Sequence, residues 1–116
     1  MRRVALMLLL LCNESSADSL EVWKCSPGGY FTNSNVVLTA KVNKDKTSGV
    51  LEVAGTVYDT HYLVEGFNRK WIFGERGDGM FRYTLMLAPA GNAYYFDFGN
   101  KGIEAESSQS YGCKQF

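Results

Sequence analysis

The side chains that could carry out catalysis are few, and a single histidine limits them further. His61 is the only histidine in the 116 residues, so a Ser–His–Asp or Cys–His arrangement would have to include it. It follows Asp59 and Thr60 at the predicted start of a strand, a position typical of a half-exposed hairpin residue. We therefore expect no catalytic residues and a protein that is not an enzyme, with a small hydrolase that uses His61 as an alternative.

Two other kinds of reactive group have unfavourable spacing. Carboxylates could act as a pair in glycoside hydrolysis, but no spacing among the acidic residues singles out such a pair. One histidine and scattered cysteines, without a Cys-x-x-Cys motif, make a poor set of metal ligands. We expect no metal site and no cofactor.

The cysteines are better suited to a structural role. Cys25 and Cys113 lie near the two ends of the domain, and two cysteines in an exported chain allow only one pairing. In the chain-entropy model, a disulfide that closes a loop of almost the whole domain stabilises it by about 4–5 kcal/mol. The bond also predicts that the first strand and the C-terminal segment are neighbours, because the two Cα atoms must lie ~4.4–6.8 Å apart.

Export is predicted by the N-terminal residues. Two arginines precede an apolar run at positions 4–12, and small residues follow at positions 15 and 17, where signal peptidase requires them. The run is too short to span a bilayer, which takes ~20 residues. We interpret residues 1–17 as a signal peptide and residues 18–116 as a single β-barrel domain.

Composition limits the expected partners. The 12 basic and 12 acidic side chains balance, whereas phosphate binding needs a basic surplus, so we expect no nucleic-acid partner. We also expect no membrane span. A lipid anchor on Cys12 is disfavoured because Leu11 stands where a lipobox has Gly, Ala or Ser.

Residues 18–116 have no Asn-x-Ser/Thr sequon, which favours a bacterial periplasmic or secreted protein. We expect a monomer whose ligand, a protein or a small molecule, the sequence does not identify.

The elements that position these residues are predicted to be strands. No segment shows a sustained 3.6-residue apolar period, and short β-branched and aromatic runs alternate with Gly, Asn and Asp turns. This pattern predicts an all-β fold of seven to eight antiparallel strands. A small meander barrel closed by the disulfide would hide the sheet edges, and a sandwich is the alternative.

The alternation also predicts which side chains face inward. We expect residues 50–58 to form one strand with Gly55 and Val57 inward, and residues 93–98 to place Tyr95 and Asp97 outward. Because the interior of an eight-stranded barrel is just wide enough for side chains, we expect no large ligand cavity. The predicted interior residues are Leu51, Val53, Trp71, Phe81, Tyr83, Phe96 and Phe98.

Aromatic and charged residues outside that set form a candidate binding surface, since exposed aromatics beside charged loops are typical of binding patches. The alternative is that they only cover the ends of the barrel. Arg76-Gly77-Asp78 spells an integrin-binding tripeptide, although Gly and Asp are also ordinary in hairpin loops. Tyr111 and Phe116 belong to the same group of aromatics. The candidate surface is Tyr30, Phe31, Tyr58, Tyr62, Phe67, Arg76, Asp78 and Tyr95. We expect an exported, non-catalytic binding module.

The two ends of the domain resemble a known family. Trp23-Lys24-Cys25 and Tyr111-Gly112-Cys113 are similar to the ends of small periplasmic lysozyme inhibitors of the membrane-bound C-type family. The resemblance implies an exported β-barrel and, as an alternative function, lysozyme inhibition. The family's inhibitory loop pairs a Ser and a Lys around an aromatic residue. Residues 76–91 offer Tyr83 but neither of the other two, so no inhibitory residue is assigned.

Overall fold

The chain forms eight strands that pair in sequence order. The structure is a computed structural model and describes residues 19–77, 79–99 and 107–116. A single 3-10 turn, Asn33–Asn35, lies between the first two strands. The strands are β1 (Ser19–Pro27), β2 (Leu38–Asn43), β3 (Ser48–Val53), β4 (Thr56–Glu65), β5 (Asn68–Glu75), β6 (Phe81–Leu87), β7 (Asn92–Asp97) and β8 (Gln109–Gln115).

Each strand is antiparallel to the next, and β1 pairs with β8, so the sheet is a closed barrel. This confirms the all-β antiparallel fold and, of the two predicted architectures, the barrel. Closure satisfies the backbone N–H and C=O groups that an open sheet would leave unpaired at its edges. Among the described residues, no helix is long and apolar enough to cross a membrane.

The predicted disulfide joins the two strands that close the barrel. Cys25 on β1 lies directly opposite Cys113 on β8, with the Cα atoms 4.1 Å apart. Cys25 is fully buried, and the bond therefore forms part of the inner wall. Its existence is compatible with an exported protein, because disulfides persist in oxidising compartments.

The middle of the barrel is filled by apolar side chains. Trp71 is fully buried, and its indole Nε1 donates a hydrogen bond of 2.9 Å to the carbonyl oxygen of Lys41. Gly49 leaves the space that this ring occupies, since a Cβ there would lie 2.6 Å from Nε1. The buried core consists of Trp23, Cys25, Leu38, Ala40, Val42, Leu51, Tyr62, Trp71, Leu85, Leu87, Ala93 and Tyr111.

The prediction of one continuous strand over residues 50–58 is wrong. A tight turn at Ala54-Gly55 separates β3 from β4, and both residues have positive φ angles, +51° and +84°. Such a two-residue turn matches the twist of the flanking strands and reverses the chain. Beyond the turn the alternation therefore starts afresh, and Val57, predicted to be inward, is 61% exposed.

The predicted orientation of β7 is also wrong. Ala93 is fully buried and Tyr95 packs against the core, so the odd-numbered residues of β7 face inward. Phe96 and Phe98 stack on each other with ring centroids 5.6 Å apart, on the side of the sheet opposite to Tyr95. Phe81, a third predicted filler, lies against the exposed His61 at 4.9 Å and is not part of the core cluster.

Three predictions concern residues beyond the described part of the chain. The signal peptide at residues 1–17, Cys12 as a lipidation site and Asp78 of the candidate binding surface all lie outside it.

Candidate functional site

The core does not fill the barrel to both ends. At the end where β2, β4, β6 and β8 begin and β3, β5 and β7 finish, a cavity of about 270 Å³ remains between the side chains. We call this cavity the cup. Its lining residues are Leu38, Leu51, Val53, Tyr58, Phe73, Tyr83, Tyr95, Gln109 and Tyr111.

A row of aromatic rings forms one side of the cup. Tyr58 lies 5.3 Å from Phe73, Phe73 lies 5.1 Å from Tyr83, and Tyr83 lies 6.0 Å from Tyr95, measured between ring centroids. These residues stand on the consecutive strands β4, β5, β6 and β7, each on the inner face. Since neighbouring strands are about 4.8 Å apart, inward rings at one level of a barrel come into offset contact. The row is therefore a direct product of the strand register.

Gly74 permits this packing next to the row. Its φ angle is +75°, and an added Cβ would lie 2.7 Å from the ring of Tyr83. A side chain at this position would push Tyr83 away from Phe73 and Tyr95.

Two of the tyrosines that line the cup have raised pKa values. Burial raises the pKa of Tyr95 to about 12, and the next causes are Tyr83, Asp97, Tyr111 and Tyr58. Burial also raises the pKa of Tyr111. The side chains of Tyr95 and Tyr111 are therefore neutral O–H groups at physiological pH.

Most of these hydroxyls have no hydrogen-bond partner in the part of the chain that the structure describes. The Tyr111 hydroxyl donates a hydrogen bond to Oε1 of Gln109. Within the part of the chain that the structure describes, the hydroxyls of Tyr58, Tyr83 and Tyr95 make no hydrogen bond.

An ion pair lies beside the cup rather than in it. Arg82 donates to both carboxylate oxygens of Asp97, at 2.8 and 3.2 Å, and its guanidinium lies 5.0 Å from the ring centre of Tyr83. The hydrogen bonds from Arg82 lower the pKa of Asp97, and a further hydrogen bond from the Gly99 amide acts in the same direction. Neither charged side chain lines the cavity.

At the opposite end of the barrel, an ion pair between Glu21 and Arg69 spans the interior, and we call this pair the strut. Glu21 on β1 accepts bidentate hydrogen bonds from Arg69 on β5, at 2.7 and 2.9 Å, and a third from Trp23 Nε1 at 2.9 Å. Since β1 and β5 are four strands apart in either direction, the pair spans the interior. The hydrogen bond from Arg69 lowers the pKa of Glu21, and the carboxylate in turn raises the pKa of Arg69. Tyr62 is buried beside this strut and packs against Trp71 at 5.2 Å.

An outer groove is another concave feature near the cup. It measures about 430 Å³ and runs over Val36, Val37 and Val57, with Glu52 at its side. It contains no aromatic ring and lies on the outer side of the sheet. The cup is half enclosed and combines apolar side chains with the polar groups of Tyr58, Tyr83, Tyr95, Gln109 and Tyr111, a composition typical of ligand sites.

The structure separates the predicted binding residues into distinct places. Tyr58 and Tyr95 lie together in the cup, and Tyr62 is buried at the strut end. Tyr30 is exposed after β1, and Phe67 is exposed in the turn between β4 and β5, at the far end of the barrel. Phe31 packs against Phe116 at 5.7 Å, and Arg76 is half-buried after β5.

Several cup residues are absent from the predicted surface. The sequence pattern does not single out Phe73 or Gln109 as binding residues, and it predicts Tyr83 only as a side chain in the barrel interior. The signal that could have found them is an inward aromatic near the same end of four consecutive strands. Reading that signal requires the strand ends and the phase of β7, which the sequence pattern alone does not establish.

Among the described residues, His61 has no hydrogen-bonded Ser, Cys or Asp partner. Its ring is exposed on the outer face and lies against Phe81, and it makes no hydrogen bond to any described residue. No group of three or more His, Cys, Asp or Glu side chains in the described ranges could hold a metal ion.

Comparisons with known proteins add no relative. No protein-family model matches the chain, and no curated protein and no solved structure shows significant similarity to it.

Proposed function

We propose that this protein is a non-catalytic binding module that holds a small ligand in the cup. The observation that carries the proposal is the contrast within one barrel: the middle is packed and the strut end is closed, whereas the cup end retains about 270 Å³. Open space lined by apolar side chains, and by hydroxyls without a partner among the described residues, is costly for a small domain unless it serves binding.

We also propose that the module works outside the cytoplasm. The disulfide between β1 and β8 supports this, together with the leader-like pattern of residues 1–17. Intact mass measured after expression in a secreting bacterial host tests it. The expected product begins at residue 18, lacks two hydrogens and carries no lipid. A chain that keeps residues 1–17 and free thiols would contradict export.

The cup can be tested by filling it. Val53→Phe places a ring into the cavity, and Val50→Phe makes the same change on the outer face of the same strand. Acetophenone, a single-ring probe, is titrated into each protein, and amide chemical shifts are followed by NMR. We expect shifts at the cup residues of the wild type and of Val50→Phe, and at least a tenfold weaker response in Val53→Phe.

Two outcomes would refute the cup as the site. In one, the wild type shows no saturable shifts at cup residues. In the other, Val53→Phe binds acetophenone as well as Val50→Phe does. Thermal unfolding of both variants verifies that each still folds, so a loss of binding can be attributed to the filled cavity.

Lysozyme inhibition is the second candidate. What favours it is that the two end motifs, Trp23-Lys24-Cys25 and Tyr111-Gly112-Cys113, pair on adjacent strands through the disulfide. A turbidity assay with a C-type lysozyme and bacterial cells tests this candidate. Unchanged lysis with the protein in large excess over the enzyme would eliminate it without affecting the ligand site in the cup.

A further inference from the structure

The polar groups of the cup share one chemical property, which is that they can donate hydrogen bonds. Tyr58, Tyr83 and Tyr95 each present an O–H group without a partner among the described residues. Gln109 uses its Oε1 to accept from Tyr111, so its remaining polar group is the donating amide –NH₂. Among the described residues, no carboxylate lines the cavity, and no Lys, Arg or His lines it either.

The arrangement of the rings disfavours a cationic ligand. Phe73 lies between Tyr58 and Tyr83, and Tyr83 lies between Phe73 and Tyr95, so the inner rings turn much of their faces towards one another. The guanidinium of Arg82 covers part of Tyr83 as well. The ring edges and hydroxyls remain for a ligand. Ring edges carry the positive side of the aromatic quadrupole, whereas a cation is attracted by the faces.

The size of the cavity limits the ligand further. An engineered cavity of about 150 Å³ holds benzene. About 270 Å³ therefore accommodates one ring with a short substituent, but not a polymer or a large cofactor. An anion would lose its hydration and meet no cationic side chain among the described lining residues, which is unfavourable.

We propose that the cup selects compact, uncharged cyclic ligands with a carbonyl-type hydrogen-bond acceptor, which the hydroxyls of Tyr83 and Tyr95 bind. This assignment rests on the proposed binding function and adds the ligand class to it. The ring enters against Leu38, Leu51 and Val53, and its acceptor oxygen remains near the phenols at the mouth.

Two probes of nearly equal shape separate acceptor recognition from simple apolar binding. Acetophenone has a carbonyl oxygen where α-methylstyrene has a methylene group. The test variant is Tyr83→Phe/Tyr95→Phe, which removes both hydroxyls and retains the rings. The matched control is Tyr30→Phe/Tyr94→Phe, which makes the same change at an exposed loop residue and at an outward residue of β7.

Dissociation constants for both probes are measured by NMR titration of all three proteins. We expect the test variant to bind acetophenone at least about fivefold more weakly than the wild type, and α-methylstyrene within about twofold. The control variant should bind both probes as the wild type does. The ratio of the two constants cancels the difference in hydrophobicity between the probes.

The outcomes distinguish failure of the ligand class from failure of the cup. If both probes bind at the cup and their ratio is unchanged in the test variant, acceptor recognition is wrong and the cup stands. Tighter binding of benzoate or phenyltrimethylammonium than of acetophenone to the wild type would also overturn the neutral-acceptor assignment. If no probe binds, the proposed binding function fails together with the inference.

Discussion

Removing the Cys25–Cys113 bond should lower the free energy of unfolding by an amount that the loop length determines. The two cysteines are 88 positions apart, so the bond restricts nearly the whole described domain in the unfolded state. For a loop of this length, the chain-entropy expression gives a loss of about 15 cal/mol/K, which is about 4.6 kcal/mol at 25 °C. Small domains have a total stability of about 5–15 kcal/mol, so the reduced protein should remain folded only marginally.

The folded barrel itself should change little on reduction. The pairing of β1 with β8 continues on both sides of the bond, from Trp23 opposite Gln115 to Pro27 opposite Tyr111. These backbone hydrogen bonds do not depend on the sulfur atoms. The lost stability should therefore come mainly from the greater freedom of the unfolded chain, and the native fluorescence of Trp23 and Trp71 should be retained.

Urea unfolding, followed by tryptophan fluorescence with and without reductant, measures this effect on one and the same sequence. The reduced protein should unfold at lower urea concentration. It should also have a larger m-value, because an uncrosslinked unfolded chain exposes more surface. The variant Cys25→Ala/Cys113→Ala is the control, since it should be insensitive to reductant.

The chain-entropy reasoning would be refuted by a difference of less than about 1.5 kcal/mol between the oxidised and reduced proteins. Loss of the native β-sheet circular dichroism on reduction would refute the second part of the argument. In that case the bond, rather than the strand pairing, would hold β1 and β8 together.

Three further predictions concern the end of the barrel that carries the Glu21–Arg69 pair and the middle of the barrel. Glu21→Gln should make the stability depend less on pH in the acid range. Because the pKa of Glu21 is lowered in the folded state, its ion pair stabilises the protein fully above pH 4.5, and this stabilisation is lost as the pH falls through the lowered pKa. Urea unfolding between pH 3 and pH 7 should therefore show a smaller decrease in the free energy of unfolding for the variant than for the wild type. Thr60→Val should raise the free energy of unfolding by about 1 kcal/mol, because the buried Thr60 Oγ1 has no hydrogen-bond partner among the described residues. An unchanged or lower urea midpoint would contradict this prediction. Gly49→Ala should lower the free energy of unfolding by about 2–4 kcal/mol, because the new Cβ would collide with Trp71 and break its hydrogen bond. Gly29→Ala, with open space around its Cβ, should be nearly neutral in the same urea unfolding assay.

The alternation of side chains along β7 does not by itself show which face of the strand is inward. In Tyr94-Tyr95-Phe96-Asp97-Phe98 both faces carry aromatic residues, so a period of two does not say which set is inward. The small Ala93 is the residue that the packed middle of the barrel accepts, and Tyr95 follows it on the same face. A packing requirement from neighbouring strands therefore decided the phase of β7.

The turn at Ala54-Gly55 gives a second example. Ala in a left-handed conformation is uncommon, so the sequence offers only Gly55 as a turn signal in an otherwise alternating run. The pairing of Leu51 with Tyr58 and of Val53 with Thr56 compensates for the strain at this single position. Local propensity did not reveal the turn, because long-range sheet pairing outweighs it.

The sequence by itself determined the all-β class, the meander of about eight strands and the pairing of Cys25 with Cys113, because period-two alternation, turn residues and cysteine number are local or countable properties. It also indicated Tyr58 and Tyr95 as aromatics outside a simple core. Only the tertiary structure decided that they meet Phe73 and Tyr83 at one end of the barrel, while Glu21 and Arg69 close the other. The physical reason is that strand register and barrel closure bring together side chains from distant strands, and no local pattern encodes those distances.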